Sequence, residues 1–298
     1  LITAVGLGYF IEERRARGET WPKLIVWWHD SYFERERFRY PNDVIERYLH
    51  YLPGTYIDGL VFINSEQPMF ARQCLMYRGM KDVNAFFRRK TVVIPNTSDI
   101  PWPWQQQQWK NSQLIHPPRD SYNDSFFKDL GLLKELEKRN YTMDDAVILL
   151  QHTRVVPRKK IETAIDFAFS LAKKYKNAKK RKCIVVLISG HSGDEQAAYK
   201  RSLSKYFRAR EDENSGLDVI LSYGERIILS HRDIIVDRKY YRFSEIPSIV
   251  ASAGGIGTYF SEVEGYGNNL LEMVRAALPA VINRYPIYQS DIEPLGFS

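Results

Sequence analysis

The chain has 298 residues, more than one typical domain needs and enough for two with a sizeable core. Its 44% hydrophobic and 27% charged residues are the composition of a soluble globular protein, and no uninterrupted apolar run reaches bilayer length, which argues against an integral membrane protein. A net charge of +7 suits an anionic ligand, nucleic acid or peripheral contact with an acidic membrane surface, and charge alone does not choose among them.

The opening run, LITAVGLGYFIEERRARG, puts a short apolar stretch before a basic one. That is the reverse of a secretory signal, so a cytoplasmic location is expected. KLIVWWHD, GLVFINSE and TVVIPNTSD then follow as short apolar runs closed by polar turn residues, and each reads as a buried strand. Helix-like PNDVIERYLHYL and EQPMFARQCLMYRG lie between them, and this alternation predicts a parallel sheet covered by helices. From Ser98 to Asp124 the period breaks, with Pro101, Pro103, Pro117, Pro118, Trp102, Trp104, Trp109 and a QQQQ run. The division expected is an N-terminal domain at 1–100, a linker at 101–122 and a C-terminal domain at 123–298.

Strands are expected again at AVILLQHT, KCIVVLISG, DVILSY and PAVIN, with helices at KKIETAIDFAFSLAKKY, DEQAAYKRSLSKYFRAR and NNLLEMVRAAL. In the first of these helices Ile161, Ala164, Ile165, Ala168 and Leu171 share a face, the stripe of a helix lying on a sheet. The basic run KKYKNAKKRK ends that helix, where cations complement the dipole, and reads as a solvated helix end. Cys74 and Cys183 are too few for a disulfide framework and lack zinc spacing. Two doubly wound α/β domains are therefore expected, with ligand residues just after the strands.

Four strand ends carry candidate chemistry. QHTRVVPRKK places Arg154, Arg158, Lys159 and Lys160 between a strand end and a helix start, where orphan N–H groups favour an anion; a solvated basic loop is the alternative. ISGHSGDE offers Gly190 and Gly193 for close backbone approach, while His191 is either a ligand contact or an exposed loop residue. His29 and Asp30 directly follow a strand end. In EGYGNNLLE, Glu264 and Glu272 bracket Gly265, Tyr266, Gly267, Asn268 and Asn269 at a helix start, a combination suited to a ligand with both phosphate and hydroxyls. The helix is expected to turn Leu270, Leu271, Val274 and Leu278 inward.

VIPNTSD, TRVVPRKKIETAI with its R-x4-K spacing, EGYGNNLLE with its E-x7-E spacing, and the following ALPAV together resemble the retaining glycosyltransferases of family 4, over residues 60–298. HDSYFERERF and YNDSFFKDLGL are similar to the subgroup holding mannosylglucosylglycerate synthases and relatives of sucrose-phosphate synthases. The resemblance implies the α/β GT-B architecture, two Rossmann-like domains facing across a cleft, with an N-terminal domain expected to begin after its usual first strand and Gly-rich loop; only VGLG at 5–8 remotely matches such a loop. It implies Arg154 and Lys159 on the donor diphosphate, Glu264 on the sugar hydroxyls and Glu272 on the ribose. It also implies His29 near the transferred sugar, backbone from Gly267 to Asn269 on sugar and phosphate, and residues around Gly190, His191 and Ile246 beside the base.

The activity so implied is transfer of a hexose from a UDP- or GDP-sugar to a small hydroxylated acceptor with retention. No cofactor or metal is expected, and no nucleic-acid partner. A noncatalytic nucleotide-sugar or polyanion binding module is the rival reading. A phosphorylase of the same architecture is a second enzyme rival, but such enzymes hold pyridoxal phosphate through a lysine, and this sequence has no matching lysine context.

Overall fold

A computed structural model describes residues 2–29, 43, 57–77, 81–97, 120–190 and 197–296. The chain forms two compact units. The first comprises 1–96, 264–266 and 286–298, and the second 97–263 and 267–285. The chain thus enters the first unit again at Glu264, leaves after Tyr266, and ends in it. The expected helix PNDVIERYLHYL, apart from Asp43, and nearly all of the linker lie outside the described residues.

In the first unit, helix α1 (Ile2–Ala16) precedes strands β1 (Ile25–Trp28) and β2 (Gly59–Phe62), helices α2 (Gln67–Tyr77) and α3 (Val83–Lys90), and strand β3 (Thr91–Val93). The strands pair in parallel in the order β1-β2-β3. Trp28, Leu60, Phe62, Leu75 and Phe87 belong to the core, and only β2 is buried along most of its length; Ile25 and Trp27 of β1 and Val92 and Val93 of β3 are exposed, which corrects the reading of all three runs as buried strands. Val5–Gly8, the remote match to a glycine-rich loop, lies inside α1; nothing helix-breaking stands beside its two glycines, and Gly6 is exposed. Asp58 fixes α1 to the sheet, accepting from Arg15 at 2.9 Å and from the Leu24 N–H at 2.9 Å.

The second unit opens with α4 (Phe126–Asp129) and α5 (Leu132–Lys138). Then come β4 (Ala146–Gln151), α6 (Ile161–Asn177), β5 (Cys183–Ile188), α7 (Ala197–Glu213) and β6 (Val219–Tyr223). β7 (Ile228–Leu229), β8 (Asp233–Ile235) and β9 (Arg238–Arg242) form a small sheet, ordered β7-β9-β8. The chain continues through α8 (Ile246–Ser252), β10 (Ile256–Tyr259), α9 (Asn268–Arg275) and β11 (Ala280–Ile282).

The main sheet is parallel and ordered β11-β10-β4-β5-β6. Leu149, Ile184, Val186 and Val219 meet Ile161, Ile165, Ala168, Phe169, Leu203 and Phe207 on one face. The alternating Ile148, Leu150, Val185 and Leu187 are just as buried, so both faces are covered, as a doubly wound sheet requires. Chain order runs outward from β4 through β5 to β6, then restarts on the other side with β10 and β11. The switch point therefore falls between β4 and β10, and the loops leaving those two strands frame the crevice where ligands enter such sheets.

Candidate functional site

The turn leaving β4 sorts the four basic residues by role. Val156 is extended, Pro157–Lys159 form a single 3-10 turn, and Lys160 takes a left-handed conformation at φ 48° before α6. Arg158 donates to the Val263 carbonyl at 2.9 Å, Lys160 pairs with Glu262 at 3.1 Å, and the Glu262 N–H reaches the Arg158 carbonyl at 3.3 Å. These two cations tie the loop after β4 to the loop after β10. Arg154 is exposed, whereas Lys159 is only 3% exposed with its ammonium 5.1 Å from the centre of the Tyr259 ring. The π face holds this buried side-chain nitrogen at a fixed point.

Gly190 stands at the end of β5 directly against this turn. A Cβ there would meet the Thr153 carbonyl oxygen at 1.9 Å and the Arg154 nitrogen at 2.9 Å, so the two backbones touch because no side chain separates them. His191 lies outside the described residues. Gly267 precedes α9 at φ 106°, and a Cβ there would meet the Tyr285 hydroxyl at 2.2 Å; only glycine accepts both constraints. Its carbonyl accepts the Leu270 N–H at 2.8 Å, opening the helix. Asn268 is exposed and Asn269 half-buried. Of the residues expected to turn inward, Leu270 and Leu278 are buried and Leu271 and Val274 half-buried, and Met273, which was not expected, is buried with them. Ile246 is wholly buried, so its side chain belongs to the core, and its N–H bonds the Phe243 carbonyl.

The sequence did not single out one buried polar residue of this unit. His152, fully buried, sits between the Ser189 hydroxyl, 2.8 Å from Nδ1, and Glu272 Oε2, 2.8 Å from Nε2. Its ring stacks on Phe243 with centroids 4.1 Å apart. Beside it Gln151 donates to Thr153 at 3.0 Å and accepts from Thr258 at 2.8 Å, so the polar strand ends are paired inside the fold.

In the first unit, His29 is exposed, its ring stacked on Trp27, and its carbonyl accepts from Gln67 at 3.1 Å. Asp30 lies outside the described residues. Asn64 donates to the Gly265 carbonyl at 2.6 Å and accepts the N–H groups of Glu66 and Gln67. A Cβ on Gly265 would lie 4.0 Å from the His29 carbonyl, so His29 and Gly265 are neighbours. Glu264 and Tyr266 flank this glycine. Burial and the Asp291 carboxylate raise the pKa of both Glu66 and the Tyr266 hydroxyl. The structure therefore gathers Glu264, Gly265, Tyr266 and His29 in one unit, and Arg154, Lys159, Gly190, Gly267, Asn268, Asn269 and Glu272 in the other. Among the described residues, no group of three or more His, Cys, Asp or Glu side chains is placed to hold a metal ion, and no helix is long and apolar enough to cross a membrane.

No protein-family model matches the chain. A structure from E. coli, named as trehalose-6-phosphate bound with UDP-2-fluoro glucose, superposes over 93% of this chain and 56% of that one, with TM-score 0.52 at 13% identity. That likeness defines the fold as that of the GT-B glycosyltransferases. In sequence, the chain is similar to the mannosylglucosylglycerate synthase of Petrotoga mobilis, 30% identical over 288 residues, which are 92% of this chain and 55% of that protein. It is also similar to the mannosylglucosylglycerate synthase of Thermotoga maritima, 29% identical over 160 residues, which are 50% of this chain and 32% of that protein. The chain thus spans about half the length of the Petrotoga relative.

Proposed function

We propose that this chain belongs to a retaining glycosyltransferase of family 4, moving a hexose from a UDP- or GDP-sugar to a small hydroxylated acceptor of the sugar or glycerate type. The observation that carries the reading is the turn after β4 at the sheet's switch point, with an exposed Arg154 and a buried Lys159 ammonium a few residues from the start of a helix. A leaving diphosphate gathers negative charge as the sugar departs. Cations already fixed in place stabilise that charge without reorganising, which is where most electrostatic catalysis arises.

Glu272 and the backbone at Gly267–Asn269 serve the ribose and the phosphate in this reading, and Glu264 with His29 serves the transferred sugar and acceptor. The acceptor hydroxyl attacks on the face the diphosphate leaves, its proton passing to the departing phosphate oxygen, so the anomeric configuration is kept without an enzyme nucleophile. The names of the two relatives favour a glycerate-bearing acceptor. A thermal-shift panel of UDP, GDP, ADP and their sugars identifies the donor. Mass detection of the product, with its anomer read by NMR, then tests transfer and retention. Donor binding with neither transfer nor hydrolysis sinks the reading, and so does an inverted product.

A further inference from the structure

The buried line Ser189–His152–Glu272 joins three polar side chains end to end, and an ionised Glu272 sets its proton order. A carboxylate has no hydrogen to give, so the 2.8 Å bond to Glu272 Oε2 has His152 Nε2–H as its donor. In the neutral ring Nδ1 is then an acceptor, and the Ser189 hydroxyl, 2.8 Å away, donates to it. Ser189 is held in turn by its own N–H on the Gln151 carbonyl at 3.3 Å, and Phe243 stacks on the ring to prevent it from turning. Asn269 adds a long contact of 3.4 Å, also to Oε2. Both contacts fall on one oxygen of Glu272, while its side chain keeps 16% exposure. The carboxylate is thereby held with Oε1 as the oxygen offered outward.

We propose that His152, set by Ser189, is a positioning residue that aims Glu272 Oε1 at a hydroxyl of the donor's ribose and makes the site selective for ribonucleotides over deoxyribonucleotides. This rests on the donor reading of Glu272 given above. A hydrogen bond from a ligand hydroxyl to a carboxylate so held corresponds to about 10- to 100-fold in affinity. A carboxylate free to rotate offers the same bond only part of the time.

Calorimetric binding of UDP, GDP and ADP, each compared with its 2′-deoxy and 3′-deoxy form, tests the proposal in the wild type, His152→Gln and His152→Leu. The wild type is expected to prefer the ribonucleotide by about 10- to 100-fold over one of the deoxy forms. His152→Gln, whose amide N–H sits near Nε2, keeps most of that preference, and His152→Leu loses it. Equal preference in both variants means His152 only fills space, which overturns its role and leaves the donor reading intact. No binding of any nucleotide by the wild type overturns the donor reading and the proposal with it. Because His152→Leu removes a buried group and can fail to fold, nitrogen-15 NMR of the wild-type histidines supplies a second readout. A protonated Nε2 on His152 is expected, and an Nε2 without a proton overturns the proposal.

Discussion

Gly190→Ala puts the proposed anion turn under direct test. The added methyl would lie 1.9 Å from the Thr153 carbonyl oxygen, 2.5 Å from its carbon and 2.9 Å from the Arg154 nitrogen. Carbon and oxygen ordinarily approach no closer than about 3.3 Å, so the two backbones must part by roughly 1.4 Å. No rotamer relieves this, because every opposing atom is main chain. Both strand ends are also tied, by Ser189 to Gln151 at 3.3 Å and by Gly224 to Ile188 at 2.8 Å. Overpacking of this kind costs about 1–3 kcal/mol. In a unit of this size, each kcal/mol lowers Tm by about 2–4 °C, so a fall of about 2–12 °C is expected by scanning calorimetry. The displaced backbone carries Arg154, and a shift of about 1 Å at a charged contact is enough to weaken donor use tenfold or more. Gly6→Ala is the control, since Gly6 is exposed in α1 with nothing within 4 Å of a new Cβ, and alanine there stabilises the helix by about 0.5–1 kcal/mol. If Gly190→Ala melts and binds nucleotide like the wild type, the close approach of the two strand ends is refuted.

Arg154→Ala is expected to lower transfer turnover by about 10²- to 10³-fold while the donor KM changes less than tenfold, because the charge it meets develops in the transition state. Lys160→Ala removes an exposed pair worth at most about 1 kcal/mol, so steady-state kinetics that rank Lys160 with Arg154 contradict the sorting of the cations. Burial, reinforced by Asp218, pushes the Cys183 thiol up to about 11. In a Cys74→Ser background, a thiol reagent at pH 8 should therefore label the unfolded chain and leave the native one untouched. Burial alone would raise the Asp58 carboxyl, but the Leu24 N–H, Lys23 and Arg15 bring it below its ordinary 3.8. Its contribution is thus present above that value and lost as pH falls through the lower folded value. Asp58→Asn should cost about 1–2 kcal/mol at pH 7, with the deficit vanishing in urea melts near pH 2.

Strands with dense apolar runs were legible in the sequence, and β1 to β6 and β11 lie where the patterning puts them. β10 was missed because Ile256–Tyr259 carries glycine where a strand signal wants a branched side chain. The reason is in the packing, since a Cβ on Gly257 would meet the Met273 sulfur at 2.6 Å and Ala280 Cβ at 3.3 Å. That same contact brings Met273 into the buried side of α9 beside the expected Leu270. β7, β8 and β9 are short and set among arginines and lysines, so periodicity gives them no voice. Arg154 and Lys159 stand together in one strand-end turn and are visible there in the sequence, whereas His152 meets Glu272 across 120 positions and Ser189 across 37. Nothing local distinguishes such a histidine from one beginning a loop.

The contact between Gly190 and the Thr153–Arg154 backbone has a further consequence, for rate and entropy. A turn that β5 wedges from one side, and that Arg158 and Lys160 lash to residues 262 and 263 from another, has been ordered by folding before any ligand arrives. An anion meeting it loses its own motion and little of the protein's. Association there should proceed in a single fast phase set by diffusion and by charge, slowing as salt screens the approach.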